Sequence, residues 1–257
     1  MESKNLSRVT MLTIFMLLIV TCSMVESTLT LATVLPQLHR CNRHLPDIGK
    51  CVKRSIESMK PYIANGIWNL NTKVFDPYHM IHYEFTLGND TKVIFKNTFI
   101  YGLSNYTIRK QILVSVDVQR IEFTAKFPLI RVFSFYEIQS ANLTLPEIKD
   151  GYKMGGIYRN VKAKITIDGE FYLHDKTEEE YFRLNMVSIP KLSVENVTVF
   201  RDNLESLSSS TNATLTDIWQ LISNEVLQII SLTAPDEIFN FASKIYDNFP
   251  TKMLFPL

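Results

Sequence analysis

Glycine and proline are scarce, 8 and 10 in 257 residues, too few for a disordered or fibrous chain. Charge of either sign is not in excess, with 27 Lys and Arg against 26 Asp and Glu. A nucleic-acid binder needs cationic surface to displace counterions, and no basic run supplies it. The same balance gives no hint of attraction to an anionic membrane. Catalytic signatures are also missing: there is no G-x-S-x-G elbow, H-E-x-x-H pair, P-loop or G-x-G-x-x-G turn. His79 and His82 have a spacing that a metal could use, but no cysteine or carboxylate cluster accompanies them. Glu178, Glu179 and Glu180 read as a solvated run, and His174 beside Asp175 lacks a positioned nucleophile. No catalytic residue, metal or cofactor is expected.

Only one long apolar run exists. Lys4 and Arg8 precede Met11 to Val20, and Val25-Glu26-Ser27 fits small-x-small cleavage before Thr28. The apolar core falls short of the ~20 residues that span a bilayer. Residues 1–27 therefore read as a secretory signal peptide. With no second such run, residues 28–257 are expected to be secreted, extracellular and without stable membrane insertion. Of three cysteines, Cys22 lies in the leader, leaving Cys41 and Cys51. In an oxidising lumen the natural reading is one disulfide closing a short loop. The sequons at Asn89, Asn105, Asn142, Asn196 and Asn212 make glycosylation the expectation, except where a strand buries its sequon.

The periodicity changes twice. Residues 46–60 repeat apolar side chains at helical spacing, with Pro46-Asp47 as a start and Pro61 as a stop. From about 67 to 200 the period is two. One strand runs from near Val93 to Tyr101. Ile112 to Val118 alternate, and the phase then slips by one before Ile121 to Phe127, which predicts a β-bulge in a continuous strand. Val161 to Leu173 form a long half-buried strand with a bend marked by Gly169. Asp175 to Glu180 read as a hairpin tip, followed by strands at 182–186 and 192–200. After 203 the helical period returns through Leu215, Ile218, Trp219 and Ile222. Thr233, Pro235 and Asp236 predict a fresh helix start, and Pro250 a stop.

The order helix, antiparallel strands, helix excludes a βαβ architecture. It predicts one α+β domain in which bulged strands curl around the C-terminal helix. Such curled structures commonly enclose ligand cavities. Periodicity alone leaves a filled interior and a hollow one both open.

An ordered series of short matches carries a family resemblance. Cys41 and Cys51 bracket Pro46 and Asp47. Asp76-Pro77, Gly102-Leu103-Ser104, Pro128-Leu129, Tyr136, Leu145-Pro146 and Gly151 follow. Leu215 and Trp219 stand four apart in the last long helix, and the chain ends Phe249-Pro250 to Leu254-Phe255-Pro256. The set spans 41–257 and resembles the juvenile-hormone-binding protein / takeout family of insect secreted proteins. The single cysteine pair is closer to takeout-like members.

The resemblance implies a long C-terminal α-helix wrapped by a strongly curved antiparallel sheet. An internal hydrophobic tunnel would carry a small apolar ligand: a juvenile hormone-like terpenoid, a fatty acid or a similar lipid. Family members serve feeding, circadian output, courtship and development. Trp68, Phe99, Phe123, Phe133, Ile165, Ile167, Trp219 and Ile222 are expected as walls, and Tyr101, Tyr136 and Tyr152 as polar groups inside. The competing reading is a secreted glycoprotein with a filled core that acts on a protein partner such as a receptor.

Overall fold

The computed structural model describes residues 39–44, 46–87, 91–109, 112–115, 119–140, 152–201 and 230–256. The expected signal peptide and the stretch around Leu215 to Ile222 lie outside the described residues.

Helix α1, Ile48–Ser58, places Val52 and Cys51 on its inward stripe. The Cys41–Cys51 disulfide, with Cα atoms 5.6 Å apart, ties the incoming chain to it. Pro61 does not stop the helical run. It occupies the first turn of a second helix, α2 (Lys60–Asn65), where a missing N–H costs nothing. Gly66, at φ 73°, then turns the chain toward the 3₁₀ turn Trp68–Leu70.

Among the described residues eight strands follow: β1 Tyr78–Leu87, β2 Thr91–Tyr101, β3 Thr107–Ile108, β4 Leu113–Ser115, β5 Arg120–Ser140, β6 Tyr152–Leu173, β7 Glu180–Ser193 and β8 Asn196–Arg201. All their pairings are antiparallel, in the order β1-β2-β5-β6-β7. β3 and β4 join the edge of β5, and β8 joins β6 below β7. The sheet curls into a half-barrel.

The phase slip before Ile121 is a chain reversal, not a bulge. β4 pairs back on β5, with Ser115 opposite Arg120 and Leu113 opposite Glu122. Reversal and bulge change alternation in the same way, so the pattern did not separate them. The bend at Gly169 is present: the β6–β7 register shifts between Asp168 and Gly169. A second shift, between Lys164 and Thr166, lies where β7 passes through Ile189 and Pro190. The strand expected at 161–173 begins at Tyr152, because its first half pairs with both β5 and β8. The strand expected at 192–200 is two pieces: the end of β7, and β8.

A further bend crosses β5 and β6 together. Pairs Phe127↔Val161 and Leu129↔Arg159 leave Pro128 facing Asn160, which has φ 53°. Proline has no N–H to give a neighbouring strand, and asparagine tolerates the left-handed region. On β5 the inward residues are odd-numbered up to Phe127 and even-numbered from Ile130. On β6 Val161, Ala163, Ile165 and Ile167 face the same interior as Tyr158. Both strands change phase without slipping against each other.

Residues 230–246 form helix α3, and Pro235 lies within it instead of opening it. Ile238 and Phe239 pack against the cluster containing Tyr106, Phe123, Ala163 and Val187. Ile245 and Phe249 join Ile67, Leu70 and Leu254 in a second cluster. A last helix, α4 (Thr251–Leu254), closes the chain. Among the described residues no helix is long and apolar enough to cross a membrane.

Candidate functional site

A cavity of about 660 Å³ lies between the inner face of the sheet, α1, α2 and α3. Val52 and Ile56 of α1 and Ile63 of α2 contribute to its wall. β5 and β6 supply Phe123, Ala125, Ile130, Val132, Val161 and Ile165, and α3 supplies Ile238, Phe241 and Ala242. This is what the phase change at Pro128 and Asn160 accomplishes. Apolar side chains continue to face inward on both sides of the bend, so one apolar wall follows the curve.

Polar groups on the wall are few. The Tyr106 hydroxyl donates to the Ile56 carbonyl at 2.6 Å, which joins the sheet region to α1. The Tyr78 hydroxyl donates to Glu237 Oε1 at 3.1 Å. Tyr158 also lines the cavity and is only 4% exposed. Its ring lies over Gly156, where an added Cβ would stand 2.7 Å from Cε2. Burial pushes the Tyr158 hydroxyl up to about 12. Tyr78 is raised to about 12 by burial first and then by the Glu237 charge. Tyr106 is raised by burial and by Glu57. These hydroxyls therefore remain protonated donors at neutral pH.

Of the residues expected from sequence, Phe123, Ile165 and Ile167 line the cavity. Trp68 does not: it is 93% exposed on the 3₁₀ turn. Phe99, Tyr101 and Phe133 also do not line it. A register shift between Lys96 and Phe99, with Asn97 at φ 49°, turns Ile100 inward. Phe99 and Tyr101 then face outward with Phe133, where Phe99 stacks on His79 and Tyr101 meets Phe133 edge-on. Tyr136 is fully buried opposite Phe95 and lies beyond the cavity wall. The Tyr152 side chain, Trp219 and Ile222 fall outside the described residues.

Sequence reasoning missed Tyr78, Tyr158, Ile56, Ile63, Ile238 and Phe241. Ile56 and Phe241 were legible as apolar helical positions. No pattern marks Tyr158 as inward, because its phase differs from that of Val161 by the bend. Asn105 and Asn196 are exposed, while Asn89, Asn142 and Asn212 lie outside the described residues. His79 and His82 are both exposed on β1, where His79 stacks on Phe99 and His82 lies 3.3 Å from a Glu84 carboxylate oxygen, and neither belongs to a cluster of three possible metal ligands among the described residues. His39 lies near the sulfurs of Cys41 and Cys51, but both sulfurs are held in the disulfide and are not thiolate ligands.

The comparisons agree with this architecture. The crystal structure of Takeout 1 from Epiphyas postvittana is similar, with a TM-score of 0.68 and 18% identity over 86% of this chain and 100% of that one. A lipopolysaccharide binding protein is a distant match, with a TM-score of 0.36 and 10% identity over 72% of this chain and 37% of that one. The second match carries no argument. No curated sequence matches the chain. The family description that matches residues 15–256 is "Haemolymph juvenile hormone binding protein (JHBP)". The chain belongs to that family.

Proposed function

We propose that the protein is a secreted, non-catalytic carrier of a small hydrophobic molecule, held in a bore between the curled sheet and the C-terminal helix. The observation that carries this reading is the apolar cavity of about 660 Å³. That size falls within the range of small-molecule sites. Each buried CH₂ contributes ~0.8 kcal/mol, so a dozen-carbon chain gains ~10 kcal/mol gross. Ordering and lost translation offset about half or more of that, which leaves micromolar to nanomolar affinity. Phe123, Ile165 and Ile167 would be walls, with Tyr158 as a buried hydrogen-bond donor. The leader-like N-terminus and the disulfide support an extracellular setting. The family supports ligands of the terpenoid or lipid class.

The test is displacement of a fluorescent fatty-chain probe from the secreted protein, with native mass spectrometry for a co-purified lipid. Saturable uptake at one site is the expected result. No uptake of any long-chain or terpenoid probe overturns the reading and favours a glycoprotein acting through its surface.

A further inference from the structure

The outer face of the sheet carries an aromatic row that takes no part in the cavity. His79, Phe99, Phe133, Gly155 and Phe200 stand opposite one another in turn across β1, β2, β5, β6 and β8. Gly155 has no side chain, and the Phe200 ring lies over it to meet Phe133 edge-on at 6.2 Å. Phe99 stacks on His79 at 4.4 Å, and Tyr101 meets Phe133 at 5.9 Å. Tyr101, Phe133 and Phe200 remain 40%, 43% and 44% exposed. Single exposed apolar side chains are ordinary, but a contiguous patch of rings marks an interaction site.

The free charge beside the row is of one sign. Arg131 stands opposite Tyr101, and Lys153 opposite Phe135. Arg159 reaches Thr198 at 3.4 Å, on the same side of β8 as Phe200. All three cations are exposed. Of the carboxylates that border the row, Glu84 and Glu137 are paired with Lys92 and Lys96, and Glu195 lies in the turn before β8. The near-neutral total of the chain conceals this local excess.

We propose that this face docks on a lipid surface carrying anionic headgroups, with the rings at headgroup level and Arg131, Lys153 and Arg159 on the anionic groups. Rings flanked by Lys and Arg are the anchors of proteins that lie on membranes, and each basic side chain near an anionic surface adds attraction. A second copy is a poorer occupant, because two such faces bring like charges together. Protein hot spots centre on desolvated pockets, whereas these rings stand side by side on the outside of the curled sheet. Ile100, Ile130 and Val132, which line the cavity, alternate with the outward residues. The docked chamber is thus one sheet's thickness from the lipid.

The experiment is flotation of the secreted full chain, without added cargo, on phosphatidylcholine vesicles with and without one-third phosphatidylserine, at low and high salt. Asn196 is an exposed sequon on the same face, so the protein is tested with its N-glycans and after their enzymatic removal. At least the deglycosylated form is expected to bind the anionic vesicles, and high salt to weaken that binding. Phe133→Ser combined with Phe200→Ser, and separately Arg131→Glu, are each expected to weaken it about tenfold. Leu173→Ser, at an exposed apolar position on the far end of β6, should leave it unchanged. No vesicle binding by either form, binding indifferent to both headgroup charge and salt, or full binding by the face variants overturns the inference. Self-association that the double serine variant abolishes, without vesicle binding, assigns the face to a second copy instead. No arm depends on cargo uptake, so the carrier reading stands or falls separately.

Discussion

Pro128 and Asn160 face each other across the β5–β6 ribbon, and the inward side of both strands changes phase at that pair. The bend depends on a left-handed backbone at Asn160. A β-branched residue there meets the steric penalty that asparagine avoids, about 1–2 kcal/mol. Asn160→Val is expected to lower the melting temperature by roughly 2–4 °C for each kcal/mol in a chain this long. Asn160→Gly should stay close to wild type. Thermal unfolding followed by circular dichroism checks both, and an unchanged valine variant would remove the strain argument.

Ile167 stands on the cavity wall and Trp68 in solvent. A guanidinium at position 167 would place charge in an apolar site, an unfavourable burial. Ile167→Arg is expected to weaken probe uptake by at least ~10-fold. Trp68→Ala, at an exposed site, should change stability by no more than about 0.5 kcal/mol and leave uptake intact. Wild-type uptake by the arginine variant would place Ile167 outside the binding space.

Three tyrosines set an alkaline limit. Tyr78, Tyr158 and Tyr246 are each raised to about 12 from an ordinary 10.0, with burial as the first cause. A raised value means that the fold holds the neutral phenol. The resulting stability is fully present below pH 10 and is lost as the pH rises toward 12. Phenolate absorbance should therefore show a late-titrating group of tyrosines, and their ionisation should coincide with unfolding. A single transition of all tyrosines near pH 10 in folded protein would contradict this.

Gly155 lies under the Phe200 ring, where an added Cβ would come within 2.0 Å of Cε2. Phe200 is partly exposed and also meets Phe133 edge-on. Its ring has an outward route, so Gly155→Ala is expected to cost only about 1 kcal/mol by overpacking. In a Phe200→Ala background that cost should vanish. A double-mutant cycle by denaturant unfolding measures the coupling, and additive costs would show that the ring is not the obstacle.

Much of this architecture was legible in the sequence. Helical spacing around Cys51 placed the disulfide on α1, and alternation through Ile165 and Ile167 identified a half-buried strand. Reading failed where two geometries leave the same trace. A one-residue slip before Ile121 fits a bulge and a tight reversal equally well, and only pairing distinguishes them. The wall residues failed for a related reason. Phe99 and Phe133 were chosen as large apolar walls and Tyr101 as a polar group inside, yet the irregular pairing near Asn97 sets which face Phe99 and Tyr101 occupy. Tyr158 was missed because counting back from Val161 in steps of two reaches Arg159. Trp68 illustrates the limit of composition, since a large ring carries no label for inside or outside.

The β5–β6 bend has a consequence for how the protein can change. Residues before and after Pro128 and Asn160 belong to separate side-chain rows that share one chamber. Repainting one end of that chamber, for a bulkier or shorter cargo, leaves the alternation at the far end untouched.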